Sequence, residues 1–199
     1  MGLSPGIVRW GGWAGVLAGV MFVPAGILIL FAPPQRPFNS FSDYLIEAIL
    51  VVAFTLAVVA VAGLHALQRG RYGRLGAAGS LITFLGYTLT AAVTAVTVLL
   101  GSEALYSVRF IGGLAVLIGS ILLGAMTLRA RVVPWWCGVL LIVGFPLGDV
   151  VDTTIGEGSE AIVLGILWGL VGYALLSSAR APDQQPVRVS RASPGSGIW

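Results

Sequence analysis

The chain has 199 residues, of which 57% are hydrophobic and 10% charged. Soluble domains carry roughly 25% charge, so this chain lacks the polar surface that dissolves a protein in water. Eleven arginines, no lysine and eight acids leave a net charge of +3, too little and too scattered for the clustered basic face that nucleic acid requires; Cys137, the single cysteine, excludes an internal disulfide.

About 20 apolar residues carry a helix across the hydrocarbon core of a bilayer. Six runs of that kind follow one another, near 10–31, 44–67, 75–100, 110–128, 132–151 and 160–178. The expected fold is therefore all-α, a polytopic membrane bundle of six transmembrane helices, with the lipid bilayer as its first partner. The first run follows Arg9, is about twice the length of a signal-peptide core, lacks an A-x-A site and continues into "APPQ", so it is expected to be retained as a span. In it, Gly11, Gly15 and Gly19 recur every four residues, the spacing of a close helix–helix contact.

The second span opens with Asp43 and Glu47 one turn apart and ends near His65, the single histidine. Eighteen residues separate Glu47 from His65, five whole turns, so the two share a face about 27 Å apart along the axis. Ionisable groups inside a span are costly and usually face the bundle interior, which makes both candidates for function. Interfacial placement, with Glu47 snorkelling to water, is the plainer alternative.

The third span holds the most regular pattern. Ser80, Thr83, Tyr87, Thr90, Thr94 and Thr97 are spaced 3, 4, 3, 4 and 3, and Gly76 and Gly101 extend the line. All these hydroxyls fall on one helical face, which should point into the bundle. Either close helix packing explains the stripe, or a polar path between helices does.

Between the fifth and sixth spans, "GDVVDTTIGEGSEA" (148–161) gathers Asp149, Asp152, Glu157 and Glu160. Two i, i+3 acid pairs joined through Gly156 and Gly158 are expected to converge and offer oxygen ligands to a hard cation. An EF-hand register from Asp149 to Glu160 fails, because Val151 and Thr154 occupy its third and sixth positions. Gly165 and Gly169 in the sixth span repeat the contact spacing of the first. The tail, 181–199, is polar and rich in Pro and Ser and is expected to be disordered.

Arginine sets the orientation. Arg9, Arg69, Arg71, Arg74, Arg129, Arg131, Arg180, Arg188 and Arg191 fall on one side of successive spans, and Arg36 and Arg109 on the other. The positive-inside rule places the first side, with both termini, in the cytoplasm. Trp10, Trp13, Trp135 and Trp136 enter the spans from that side as interfacial anchors. Seven of the eight acids, Glu103 among them, then face outward. That rule places arginine and says little about acids, so the outer acids call for their own explanation.

No P-loop, nucleophile elbow, dinucleotide fingerprint or His/Cys metal set is present, so no catalytic residue and no cofactor is assigned, and a metal is left open. The stretches "LHALQRGRYGRLGAAGSLITFLG" (64–86) and "LRARVVPWWCGVLLIVG" (128–144) resemble parts of uncharacterised multi-pass bacterial membrane proteins. The resemblance covers the middle two-thirds of the chain. It implies a six-helix protein of the bacterial inner (plasma) membrane and transfers no functional residue. The two stretches also resemble each other, an R-x-R turn followed by a glycine-bearing span, as a duplicated hairpin would.

The functional expectation is binding or permeation of a small cation, a proton or a polar solute through an outward-facing acidic cavity. Asp43, Glu47, Asp149, Asp152, Glu157 and Glu160 would form its mouth, Thr83, Tyr87, Thr90 and Thr94 the way inward, and His65 the inner exit. The rival is a scaffold whose glycine faces bind other membrane helices or a second copy. A third reading, a membrane-embedded enzyme or a lipid- or pigment-binding protein, needs a lateral apolar pocket near Trp168 and Tyr173.

Overall fold

The computed structural model describes residues 5–35, 38–100 and 105–180. Arg36, Glu103 and the tail expected to be disordered lie outside them. Among the described residues the regular structure is entirely helical: α1 (Pro5–Phe31), α2 (Phe41–Gln68), α3 (Gly73–Leu100), α4 (Tyr106–Ala130), α5 (Trp135–Ile155) and α6 (Ser159–Arg180). Each is long and apolar enough to cross a membrane, and the chain is a multi-pass membrane protein. At about 1.5 Å per residue even the 21 residues of α5 reach the roughly 30 Å hydrocarbon thickness.

The helices run further than the apolar stretches because capping groups, not hydropathy, decide where the backbone stops coiling. At the start of α2 the Ser40 side chain accepts from the Asp43 N–H at 3.3 Å, while Asp43 accepts from the Ser40 N–H at 3.0 Å. This reciprocal pair satisfies two of the four amide donors that a helix start leaves open. The fifth span begins at Trp135 rather than 132, since Pro134 caps it, and continues to Ile155, so Asp152 is helical. Arg131 ends α4 in the left-handed region, φ 51°, its N–H bonded to the Thr127 carbonyl at 3.2 Å. Between α5 and α6 the chain reverses through Gly156 and Gly158, with φ of 137° and 95°. A side chain would strain both positions, which explains why the acidic stretch is interrupted by glycine.

Each helix packs on its neighbours in chain order, and α6 returns to α1, so the six form a closed ring. The start of α1, the end of α6, the α2–α3 turn and the α4–α5 turn share one end. The connections α1–α2, α3–α4 and α5–α6 share the other, here called the distal end.

Small residues set the seams. A Cβ added at Gly15 would stand 2.8 Å from the Gly172 Cα, and one at Gly19 2.6 Å from the Gly165 carbonyl oxygen, so α1 and α6 touch backbone to backbone. A Cβ at Gly11 would meet the Gly63 Cα at 2.5 Å, which draws α1 equally close to α2. In lipid no hydrophobic force drives apolar helices together, so such close approach and the dispersion contacts it allows must hold the ring. The glycine repeats of the first and sixth spans are therefore internal contacts. Exposure is correspondingly inverted relative to a soluble bundle: Leu81 and Leu85 of α3 face outward, while Ser80, Thr83, Tyr87, Thr90, Thr94 and Thr97 are buried.

Candidate functional site

The hydroxyl face of α3 lies against α4. Thr83, Thr90 and Thr97 each donate to the carbonyl one turn back, Gly79, Gly86 and Val93, at 2.8, 3.0 and 3.0 Å. This is how threonine hides its donor in an apolar medium. Glycines of α4 make room for them: a Cβ at Gly119 would be 2.5 Å from the Thr83 Oγ1, and one at Gly112 2.6 Å from the Thr90 Oγ1. Thr94 is the exception, with its Oγ1 buried and no hydrogen-bond partner among the described residues. Three of the six stripe hydroxyls are thus satisfied within α3 itself, as the packing alternative expects.

Two members of the stripe do more. Tyr87 and Thr90 line a cavity of about 290 Å³ in the distal half of the ring, together with Arg109, Asp149 and Glu160. A second cavity of about 180 Å³ is lined by Glu47, Asp152 and Glu157 and shares Phe54, Arg109 and Glu160 with the first. The two form adjoining lobes of one acid-rich chamber reaching the distal connections. Its floor is the Tyr87 hydroxyl accepting from the Trp168 Nε1–H at 2.9 Å, with the two rings edge to face at 5.6 Å.

Glu47 is deeply buried, 1% exposed, and meets the Arg109 guanidinium, 26% exposed, at 3.4 and 3.5 Å. Arg109 begins the second turn of α4, and nothing in its local pattern singles it out. Only the closing of the ring, which lets the Arg109 side chain reach from α4 across the chamber to α2, carries it to a carboxylate 62 residues away. Sequence reasoning missed it for that reason, though an arginine on the arginine-poor side of the membrane was a usable signal.

The remaining acids divide by role. Asp43 does not line the chamber's two lobes; its carboxylate accepts the N–H groups of Gln35, Asn39 and Ser40 at 3.2, 3.1 and 3.0 Å and folds the α1–α2 connection onto the helix start. Asp152 likewise accepts from the Gly158 N–H at 2.9 Å and holds the α5–α6 turn, while still facing the smaller lobe. Asp149 and Glu157 are exposed at the rim. Glu160 fills the space left by Gly148, where a Cβ would be 2.8 Å from its Cγ, and lines both lobes. All four acids of 149–160 thus line the chamber, while among the described residues no three His, Cys, Asp or Glu side chains come together to hold a metal.

Thr83 and Thr94 do not line either lobe, and neither does His65. His65 instead contacts Tyr72 through Nδ1 and the phenol oxygen, the rings edge to face at 5.8 Å. Tyr72, in the α2–α3 turn, lies so close over Gly76 that any Cβ there would strike its ring, and burial pushes its hydroxyl above the usual phenol range. Between the chamber floor and the termini, Leu64, Leu123, Leu141 and Leu175 are fully buried. There, Gln68 donates to Thr127 at 2.9 Å and accepts from it at 3.2 Å.

For the third reading, Trp168 is enclosed and Tyr173 exposed, and neither lines the apolar groove beside them. That groove runs between α1 and α6, past Val20, Pro24, Ile166 and Leu170. No protein-family model, no curated protein and no solved structure matches the chain, so the chemistry of the chamber itself carries the functional reading.

Proposed function

We propose that the protein binds a small cation or a polar solute bearing positive charge in the distal chamber, which the arginine distribution places on the outer side of the membrane. The observation that carries this reading is one cavity lined at once by Tyr87 and Thr90 from the middle of α3 and by Asp149 and Glu160. Arg109 answers the charge of Glu47, and the remaining carboxylates give the space a net negative potential. Water-excluding walls strengthen that potential, because field lines concentrate in a low-dielectric cleft. Uptake from the distal side needs no further opening, whereas passage across requires the Tyr87–Trp168 contact and the leucine layer beneath it to part.

The scaffold alternative loses Gly11, Gly15 and Gly19, which meet Gly63, Gly172 and Gly165 within the ring, and keeps only the open side of Gly169 along the α1–α6 groove. Reconstituted vesicles provide the test: cation uptake or retention above empty vesicles is expected, and it should fall when Glu47 and Asp149 become Gln and Asn. Uptake unchanged in that double variant removes the proposal.

A further inference from the structure

We propose that the chamber's ligand is an organic ammonium ion carrying apolar groups, rather than a metal ion or a proton; this rests on the chamber being a cation site at all. Three observations favour that class. First, a hard metal cation wants six to eight converging oxygens at about 2.0–2.6 Å, and no three acidic or metal-binding side chains converge among the described residues. Second, the larger lobe, about 290 Å³, holds roughly ten waters at about 30 Å³ each. A bare ion would leave it mostly water, whereas a small organic molecule would fill it.

Third, much of the wall is aromatic. Phe54, Tyr87, Phe110 and Phe145 line the larger lobe with Asp149, Glu160 and Arg109, whose own charge Glu47 answers, and the Phe54 and Tyr87 centroids are 6.1 Å apart. Ring faces attract a cation through their quadrupole, and they favour an alkylated ammonium because it surrenders little hydration on contact. Compact sodium or manganese ions would lose water to carbon and gain no ligand. The carboxylates supply the charge and the rings the selectivity. Phe110 is 58% exposed and Leu114 41% exposed while both line the lobe, so its apolar wall continues to the outer surface of the ring. A ligand with an apolar substituent has somewhere to place it.

The full chain in lipid nanodiscs, dialysed to equilibrium against radiolabelled tetramethylammonium, sodium or manganese, tests this. Saturable tetramethylammonium binding is expected, undisturbed by equal concentrations of the two metal ions. Phe145→Leu, which keeps an apolar group of similar bulk, should weaken it roughly fivefold or more, and Asp149→Asn should weaken it further. Tetramethylammonium bound equally well by Phe145→Leu overturns the aromatic assignment. Saturable sodium or manganese binding that depends on Asp149, with none for tetramethylammonium, overturns the ligand class and leaves the cation chamber standing. If none of the three binds, both fall.

Discussion

Removing Arg109 should destabilise the bundle more than removing the carboxylate it answers. At 3.4 Å and an effective dielectric near 20, the two charges attract by about 5 kcal/mol. Most of this is offset by the cost of taking Glu47, 1% exposed, out of water. Arg109→Gln uncovers that cost and leaves a buried carboxylate without its guanidinium. Such losses run at about 3–5 kcal/mol, and the long, weak 3.4–3.5 Å contacts place this one near 3. Glu47→Gln leaves a guanidinium that is 26% exposed and able to turn toward water, so its loss should be nearer 1 kcal/mol, the net value of a single hydrogen bond. The double variant should then cost well under the sum. Reversible unfolding in mixed detergent micelles, followed by circular dichroism, measures all four corners of the cycle. If the single losses are equal and add to the double within about 0.5 kcal/mol, the pair is not coupled and its place in the chamber wall is misjudged.

Three further outcomes follow from the packing. Tyr87→Phe deprives the buried Trp168 Nε1–H of its acceptor and should cost about 1–3 kcal/mol in the same assay, with a changed near-ultraviolet spectrum. Gly19→Ala would force a methyl to within 2.6 Å of the Gly165 carbonyl and should cost about 1–3 kcal/mol. Gly169→Ala meets nothing within 4 Å and should be neutral or slightly stabilising. A cysteine replacing Glu157 should react in intact cells with an impermeant thiol reagent, while one replacing Arg71 should stay shielded. Cys137 is fully buried and adds no background, and the reverse labelling pattern would invert the bundle.

The six spans, their order and the inward face of α3 were legible in the sequence because each depends on neighbours a few residues apart. Apolar run length decides what can cross lipid. A 3-4 hydroxyl spacing decides which residues share a face, and four-residue glycine repeats decide where helices can approach. The hydroxyls of α3 are buried and the glycines of α1 and α6 meet, as those local rules require.

What the chamber contains was decided elsewhere. Asp43 and Asp152 look in sequence like any other acid at a span's end, and only the folded connections turn their carboxylates onto backbone amides. Thr83 and Thr90 are equivalent by spacing and both meet glycines of α4, yet only Thr90 also reaches the cavity that Phe145, Asp149 and Glu160 of α5 and α6 help to wall. Arg109 acquires its partner from a helix 62 residues away. Helix identity is a local property of the chain, whereas a cavity is bounded by residues whose positions depend on how every seam of the ring packs.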